Sequence, residues 1–271
     1  MPELPEVETT RRGIAPHLEG RRLRRLRVRS RKLRWPIPAG LEQRLAGADI
    51  LSLERRAKYL LLRSSRGTAL IHLGMTGSLR IITDGRAPGA HDHFDLEIED
   101  GPIIRFTDPR RFGSLLWAGK DAGGHPLLSK LGPEPLASTF NGQYLHQISR
   151  GRRVAVKPFL MNAQNVVGVG NIYASEALYR AGVHPKRKAG RIALPRYEAI
   201  ADSIKLVLEE SIRVGGTTLR DFFDGDGKPG YFTQQLRVYD REGQACPACG
   251  EAIRQSVIGQ RSSYYCLHCQ S

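Results

Sequence analysis

The sequence has few residues of several classes, and each shortage limits what the protein can be. Its 271 residues include four cysteines, three methionines and two tryptophans, and 27 acidic residues stand against 42 lysines and arginines. No segment approaches about 18 consecutive apolar residues, and the first ten, MPELPEVETT, are acidic where a secretory signal is basic and then apolar. The 40% hydrophobic share excludes wholesale disorder. We therefore expect no membrane partner and a cytoplasmic protein, associated with the nucleoid if it is bacterial.

The basic excess gives a formal net charge of +15, which has two interpretations. Such a charge either supports solubility in general or attracts a polyanion such as nucleic acid. Arginine predominates over lysine in Arg21–Arg29, and planar guanidinium groups suit phosphate oxygens. The same stretch is also compatible with a solvated strand or helix face, with Leu23, Leu26 and Val28 buried behind it.

Short apolar runs separated by turn residues predict mostly β-structure through residue 130. Their spacing favours a β-sandwich or barrel, and helices are predicted over residues 5–19 and Gly40–Leu45. The apolar runs are Ile50–Leu53, Tyr59–Leu62, Ala69–Leu73, Leu79–Ile82, Phe94–Ile98, Ile103–Phe106 and Ser114–Trp117.

The pattern changes at Leu131–Leu136, whose two prolines and glycine predict a domain boundary. Beyond it, apolar residues at helical spacing predict a helix over Tyr197–Val214. We expect an α+β multidomain protein. Its predicted parts are an N-terminal β-sandwich with flanking helices over residues 1–131, a linker over 132–140, a helical domain over 141–235 and a cysteine-bearing module over 236–271.

All four cysteines fall into two Cys-x-x-Cys pairs, Cys246 with Cys249 and Cys266 with Cys269. Two such pairs can place four thiolates around one tetrahedral ion, so we predict one structural Zn²⁺ per chain rather than disulfides. His268 is a competing ligand, although four cysteines complete the set without it. Two strands between the pairs would present Arg261 at a hairpin tip, either to reach a phosphate or as an ordinary surface arginine.

The chain start is a candidate active site. Removal of the initiator methionine would leave the secondary amine of Pro2 as the terminus, and an α-amino group has a pKa near ~8, so part of it is a free nucleophile at neutral pH. Its attack on an aldehyde-like carbon such as a sugar C1′ would give an iminium ion, an electron sink for later eliminations. Glu3 and Glu6 would supply a carboxyl for proton transfer. The alternative is that this is simply a terminus.

Several separated motifs resemble those of the bacterial formamidopyrimidine-DNA glycosylase family, in the family's order and over essentially the whole chain. They are Pro2–Thr9, Arg56–Leu60, His72–Gly77, Asp108–Gly113, Val167–Tyr173 and Cys266–Gln270. The resemblance implies a DNA glycosylase and abasic-site lyase that works in base-excision repair. Such an enzyme flips oxidised purines, chiefly 8-oxoguanine and formamidopyrimidines, out of duplex DNA, excises them and cuts the strand by β- and δ-elimination. It also implies a monomer with a helix–two-turns–helix domain and a β-hairpin zinc finger.

The resemblance implies catalytic roles for four residues. Pro2 would form the Schiff base at C1′, and Glu3 would donate a proton at the sugar ring. Lys58 would contact phosphate or donate a proton, although a surface lysine at a strand start is the alternative. Arg261 would act as proton donor in elimination or as a phosphate contact.

Met75, Arg110 and Phe112 match the family's triplet that fills the gap left by the flipped base. The alternative places Met75 and Phe112 in the core and Arg110 in a salt bridge. Gly74 and Gly113 are expected to allow tight exposed turns at these motifs.

Further DNA contacts are implied by the resemblance. A glycine-rich turn would join helices over Pro158–Val166 and Asn171–Arg180, and Asn171 with the amides at its helix start would bind phosphate, or the pair would be a packing motif only. His72, His91 and Arg152 are also expected to contact DNA.

A lesion-capping loop is implied around residues 215–222. Its candidate residues are Thr217, Leu219, Arg220, Asp221 and Phe222, with backbone amides holding O6 of the base and Thr217 near N7. One departure is Asn162, near a helix start, where the family usually has an acidic residue.

Two alternatives remain at this point. Endonuclease VIII, from the same superfamily, acts on oxidised pyrimidines, but its start resembles Pro-Glu-Gly-Pro-Glu and it lacks the filling triplet. A non-enzymatic, zinc-bearing nucleic-acid binder would also account for the charge and the cysteines, and the N-terminal proline separates that class from an enzyme.

Overall fold

The computed structural model describes residues 2–216 and 235–271, which fall into two compact units. Of these residues, the first unit holds those up to Ser129 and those from Val214 to Gly216. The second holds Lys130–Arg213 and the residues from 235 onward.

The first unit is built on one antiparallel sheet of eight strands. In chain order they are β1 (Arg22–Val28), β2 (Ala48–Arg56), β3 (Tyr59–Ser64), β4 (Gly67–His72), β5 (Ser78–Ile82), β6 (Asp92–Ile98), β7 (Ile103–Thr107) and β8 (Ser114–Gly119). The spatial order is β5-β7-β6-β1-β2-β3-β4-β8. Each of the seven apolar runs overlaps one strand, so the β prediction is confirmed, and the arginine-rich stretch supplies β1.

The sheet consists of two four-stranded halves. Strands β1 and β2 are joined by two residue pairs, Arg22 with Asp49 and Leu23 with Ala48. Apolar side chains of both halves, among them Phe94 and Phe106 on one and Leu60 and Ile71 on the other, share one buried core. Two antiparallel layers around a common core form the predicted sandwich.

Two helices flank the sheet. Helix α1 covers Leu4–Ile14 and continues as a 3-10 turn over Ala15–His17, so it ends earlier than the predicted 5–19. Pro16 explains this end, because proline has no N–H to extend the α-helical hydrogen bonding and its ring clashes with the preceding turn. Helix α2 covers Leu41–Leu45, close to the prediction.

The second unit combines helices with one β-hairpin. Its elements are α3 (Gly142–Ser149), α4 (Val156–Met161), α5 (Asn171–Arg180), a 3-10 turn (Ala189–Arg191), α6 (Leu194–Arg213), β9 (Arg254–Ile258) and β10 (Arg261–Tyr265). The bounds of α5 agree with the prediction, and α6 begins three residues earlier than expected. Among the described residues, no helix is long and apolar enough to cross a membrane.

Helix α4 corrects the predicted helix over Pro158–Val166, because it ends at Met161. The Asn162 side-chain oxygen accepts the Gln164 N–H at 3.0 Å, and the Asn165 amide donates to the Phe159 carbonyl at 2.8 Å. Asparagine side chains compete in this way with helical hydrogen bonds, and the chain turns. Asn162 therefore follows a helix end, not the helix start where it was expected.

Candidate functional site

The start of α1 is a buried acidic turn. Glu3 precedes the helix and accepts a hydrogen bond from the Glu6 N–H, while Glu6 Oε2 accepts the Glu3 N–H at 2.8 Å. Both residues are 2% exposed, and Pro2 is buried next to them. A Cβ on Gly216 would lie 3.2 Å from Glu6 Oε1. This reciprocal capping box fixes the conformation of the chain start, and the segment that leads to residue 217 passes beside it.

One carboxylate further along α1 ties the helix to the sheet. Glu8 accepts hydrogen bonds from Arg11, Arg12 and Arg55, the last at 3.1 Å from β2. Burial alone would raise the pKa of Glu8, but the hydrogen bonds from Arg11 and Arg12 and the charge of Arg55 lower it to about 2. The carboxylate is therefore ionised at neutral pH and holds α1 in place.

The turn between β2 and β3 carries Lys58, which is half-buried. Tyr59 lies opposite His72 on β4, with ring centroids 4.8 Å apart. Burial, then the charges of Lys58 and Arg34, lower the pKa of His72 to about 4. The Gly74 N–H donates to His72 Nδ1 at 3.0 Å, so the neutral ring carries its proton on Nε2. His72 is thus an uncharged hydrogen-bond donor beside two cations.

Two turns of the first unit meet closely. A Cβ on Gly74 would lie 2.4 Å from the Gly113 nitrogen, so the contact requires glycine. Asp108 is 0% exposed; its Oδ1 accepts the Thr76 hydroxyl at 2.6 Å and its Oδ2 accepts the Gly113 N–H at 2.7 Å. One buried carboxylate therefore joins the two turns. Both glycines are themselves buried, while Arg110 and Phe112 beside Gly113 are exposed.

The joined turns carry the predicted gap-filling residues. Met75 is half-buried, Arg110 is exposed, and Phe112 is 40% exposed. The Arg110 guanidinium lies 5.0 Å from the centre of the Phe112 ring, and no carboxylate in the described part of the chain pairs with it. His91 is exposed nearby, and its carbonyl accepts the Asp108 N–H at 3.0 Å. These contacts do not fit the alternative of a core phenylalanine and an internal salt bridge.

Several arginines in and directly after strand β1 form ion pairs with acidic residues on β6. Glu97 accepts hydrogen bonds from Arg25 at 2.6 Å and Arg27 at 2.8 Å, and Asp95 pairs with Arg29. Burial alone would raise the pKa of Glu97, but the hydrogen bonds from Arg25 and Arg27 lower it. These contacts favour the solvated strand face over a phosphate-binding stretch.

In the second unit, the glycine-rich turn leads directly into α5. Gly168 has φ +78°, and Asn171 is the first residue of the helix, with no side chain capping its start. The Asn171 Oδ1 atom is buried and has no hydrogen-bond partner within residues 2–216 and 235–271. This side chain is therefore placed beside helix-start amides with hydrogen-bonding capacity to spare.

The tip of the hairpin is held by a buried lysine that sequence reasoning missed. Arg261, exposed, begins β10 after the turn Gly259-Gln260. Lys157 is 0% exposed, and its Nζ donates to the Ser262 carbonyl at 3.1 Å and the Ser263 hydroxyl at 2.8 Å. The only sequence signal was a lysine among apolar residues at a helix start. Lys157 thus fixes the backbone next to Arg261.

The four cysteines converge as predicted. Their Sγ atoms all lie within 4.8 Å of one another, with 3.8 Å between Cys246 and Cys269 and 3.5 Å between Cys249 and Cys266. Tetrahedral Zn²⁺ with Zn–S bonds of about 2.3 Å separates its sulfurs by about 3.8 Å. All four cysteines are free of disulfides, and His268 lies outside the cluster. The donor set fits one structural zinc ion and leaves no open coordination position.

A second buried acid connects α5 to the cysteine-bearing segment. Glu176, 4% exposed, accepts hydrogen bonds from the backbone N–H groups of Arg237, Val238 and Tyr239 at 2.8–2.9 Å.

Arg152 is exposed in the loop after α3, where its N–H donates to the Ser149 carbonyl. The five predicted residues of the lesion-capping loop, Thr217, Leu219, Arg220, Asp221 and Phe222, lie outside the described residues.

Three family models match the chain. The "Formamidopyrimidine-DNA glycosylase N-terminal domain" covers residues 1–115, the "Formamidopyrimidine-DNA glycosylase H2TH domain" residues 131–223, and the "Zinc finger found in FPG and IleRS" residues 243–271. A curated formamidopyrimidine-DNA glycosylase from Alkalilimnicola ehrlichii is 57% identical over 276 residues, with 100% of both chains covered. One from Magnetococcus marinus is 59% identical over 273 residues, covering 100% of this chain and 99% of that one.

Solved structures agree. The MutM (Fpg) protein from Thermus thermophilus superposes with a TM-score of 0.89 at 36% identity, covering 99% of this chain and 98% of that one. Lactococcus lactis Fpg in complex with DNA that contains an abasic site gives a TM-score of 0.91 at 28% identity, covering 99% of each chain. A mutant of the same Fpg bound to Fapy-dG containing DNA gives 0.92 at 28%, covering 100% of each.

Proposed function

Because the chain belongs to the formamidopyrimidine-DNA glycosylase family, we propose that it is a base-excision repair enzyme for oxidised purines. It flips 8-oxoguanine or a formamidopyrimidine out of duplex DNA, excises it and then cuts the strand as an abasic-site lyase. The observation that carries this proposal is the family match over the whole chain. The Lactococcus relatives bound to Fapy-dG and abasic-site DNA support the substrate class.

The reaction begins at the buried acidic turn of α1. The Pro2 nitrogen attacks C1′ of the damaged nucleotide, the bond from C1′ to the base breaks, and the base leaves with a proton. Glu3 donates a proton to the ring oxygen O4′, which opens the sugar and leaves an iminium ion between Pro2 and C1′. The capping box supports this role, since it holds Glu3 next to Pro2 in one conformation.

The iminium ion then accepts the electrons of two eliminations. Loss of a C2′ proton expels the 3′ phosphate, and a second elimination expels the 5′ phosphate, after which water releases the sugar fragment from Pro2. Lys58 and Arg261 serve as proton donors or contact the phosphates in these steps. Their positions at tight, fixed turns support this assignment.

Met75, Arg110 and Phe112 occupy the gap left by the flipped base. Their place on two turns joined by Asp108, with Phe112 exposed, supports insertion into the base stack. The Arg110 guanidinium, which has no carboxylate partner among the described residues, can hydrogen-bond the widowed cytosine.

The remaining predicted contacts bind DNA around the lesion. His72, with its proton on Nε2, and Asn171, through its side-chain nitrogen, donate to phosphates near the flipped nucleotide, and His91 and Arg152 contact the backbone further away. The predicted lesion loop, Thr217 and Leu219–Phe222, covers the extruded base. The zinc ion stabilises the hairpin that carries Arg261. The enzyme acts as a monomer in the cytoplasm, on the DNA of the nucleoid.

The test is borohydride trapping on duplex DNA with 8-oxoguanine opposite cytosine. Reduction of the iminium ion should link protein and DNA covalently. Protein extended by an N-terminal tag, in which the Pro2 nitrogen is an amide, should give no adduct, and removal of the tag should restore it. Pro16→Ala, which changes an exposed proline after α1, is the matched control and should trap like the wild type.

Each rival function predicts a different result. A non-enzymatic DNA binder would give no adduct with any form of the protein. An enzyme of the endonuclease VIII type would trap more strongly on an oxidised pyrimidine than on 8-oxoguanine. Equal trapping by the tagged protein would refute Pro2 as the nucleophile.

A further inference from the structure

We propose that the second unit contains a concave site for one backbone phosphate of the DNA duplex. The site combines Arg152 with three further cationic side chains that lie beside it. The inference rests on the proposed function, because it takes DNA as the ligand. The concavity has a volume of about 210 Å³ and lies between the loop after α3 and the loop that contains the 3-10 turn. It is lined by Gly151, Arg152, Arg153, Lys188, Gly190 and Arg191.

All the charged side chains that line the concavity are cationic. Four of its six residues carry a positive charge and none carries a negative one. In the described ranges, none of these four cations pairs with a carboxylate, whereas the arginines of β1 do. Several positive charges without a nearby negative charge attract an anion, and a concave surface strengthens the positive electrostatic potential between them.

The two loops are held together before any ligand arrives. The Gly190 N–H donates to the Arg152 carbonyl at 3.0 Å, and the Ala189 N–H donates to the Val154 carbonyl at 2.9 Å. A Cβ on Gly190 would lie 2.7 Å from the Arg152 carbonyl oxygen, so this close approach depends on glycine. Because the backbone of both loops is already ordered, binding of an anion costs no further backbone entropy.

The lining chemistry selects a phosphate over a base or a small molecule. Pockets for small molecules usually exceed about 300 Å³, which is more than the volume of this concavity. The lining has no aromatic ring on which a base could stack. The site therefore grips the DNA backbone independently of sequence and lesion.

The experiment measures how the affinity for an undamaged duplex depends on salt. A triple variant, Arg153→Gln, Lys188→Gln and Arg191→Gln, leaves Arg152 and every proposed catalytic residue intact. The control removes three charges elsewhere on the same unit, through Lys130→Gln, Lys205→Gln and Arg213→Gln. Because Arg152 is retained, we expect the slope of log affinity against log salt to become shallower in the triple variant by at most about 0.9, the value for one phosphate contact, and to stay at the wild-type value in the control.

Phosphate-ethylation interference then locates the contact. One ethylated phosphate should weaken binding of the wild type and of the control, and should weaken binding of the triple variant less. An unchanged slope and interference pattern in the triple variant would overturn the proposal, as would binding of inorganic phosphate at the site with no effect on DNA. If the wild type fails to trap 8-oxoguanine DNA while the slope difference persists, the proposed function fails and the phosphate site stands.

Discussion

Replacement of Asp108 tests whether one buried carboxylate holds the gap-filling turns together. In Asp108→Ala, the buried Gly113 N–H loses its acceptor, at a cost of about 2 kcal/mol. The Thr76 hydroxyl also loses its acceptor on Asp108. Because Thr76 is half-exposed, water can replace part of that hydrogen bond, so its loss adds about 1 kcal/mol. We expect the free energy of unfolding to fall by about 3 kcal/mol in total.

Asp108→Asn removes the negative charge of the side chain but keeps its size and shape. The amide oxygen can still accept from Gly113, and the amide nitrogen can donate to the Thr76 oxygen. Both bonds become neutral ones, which are about half as strong as charge-assisted bonds, so we expect a loss of about 1 to 2 kcal/mol. Asp49→Ala, which changes an exposed aspartate on β2, is the control and should stay within about 0.5 kcal/mol of the wild type.

Urea unfolding measures the stabilities, and two activities measure the consequence for the site. Excision of 8-oxoguanine requires the joined turns to enter the base stack, whereas a pre-formed abasic site has no base to extrude. We therefore expect Asp108→Ala to reduce excision by at least about tenfold, and cleavage of abasic DNA by less. Wild-type stability of Asp108→Ala, or an equal fall in both activities, would refute the reasoning.

Three further outcomes are expected. Glu8→Gln should lower the free energy of unfolding at pH 7 by on the order of 3 kcal/mol. The pKa of Glu8 is about 2 in the folded protein and 4.5 in the unfolded chain, so the stability that the wild type gains from this carboxylate should be complete above pH 4.5 and disappear as pH falls toward 2. Urea unfolding across this pH range measures the difference. Lys157→Met should keep one zinc per chain yet slow strand cleavage by about tenfold, because the Ser262 carbonyl beside Arg261 and the Ser263 hydroxyl each lose a hydrogen bond. Unchanged cleavage would show that Lys157 serves packing alone. Replacement of zinc by Co²⁺ should give the absorption spectrum of a tetrahedral thiolate site with activity retained, whereas Cys266→Ser should lose the metal and hairpin order, detected by metal analysis and circular dichroism.

Local patterns made the elements predictable. Helix α5 was anticipated to the residue from the resemblance to the family's helix–two-turns–helix motif. The strands followed from short apolar runs, and the metal centre from two Cys-x-x-Cys pairs. Helix α4 was predicted too long because the side-chain bonds of Asn162 and Asn165 decide where the chain turns, and spacing does not record them.

Contacts between distant parts of the chain were not predictable in the same way. Asp108 stood in a recognised motif, but its partner Thr76 is 32 residues away, and nothing in the motif indicated which carboxylate joins the turns. The Lys157 ammonium bonds to a serine 106 residues later. A single sequence does not reveal which distant residues contact each other. Asp108 and Lys157 therefore appear in it only as polar residues, although their hydrogen bonds fix the geometry of the proposed site.

The net charge of +15 is a poor measure of how many phosphates the protein contacts. Arg25 and Arg27 on β1, and Arg29 directly after it, form ion pairs with Glu97 and Asp95 on β6, so removing one of these arginines breaks an ion pair. In the concavity, Lys188 and Arg191 have no such partner in the described residues, so their charge is available to a ligand. Salt-dependent affinity should therefore follow which cations are unpaired and gathered together, and the densest run of arginines in the sequence should contribute mainly to the stability of the sheet.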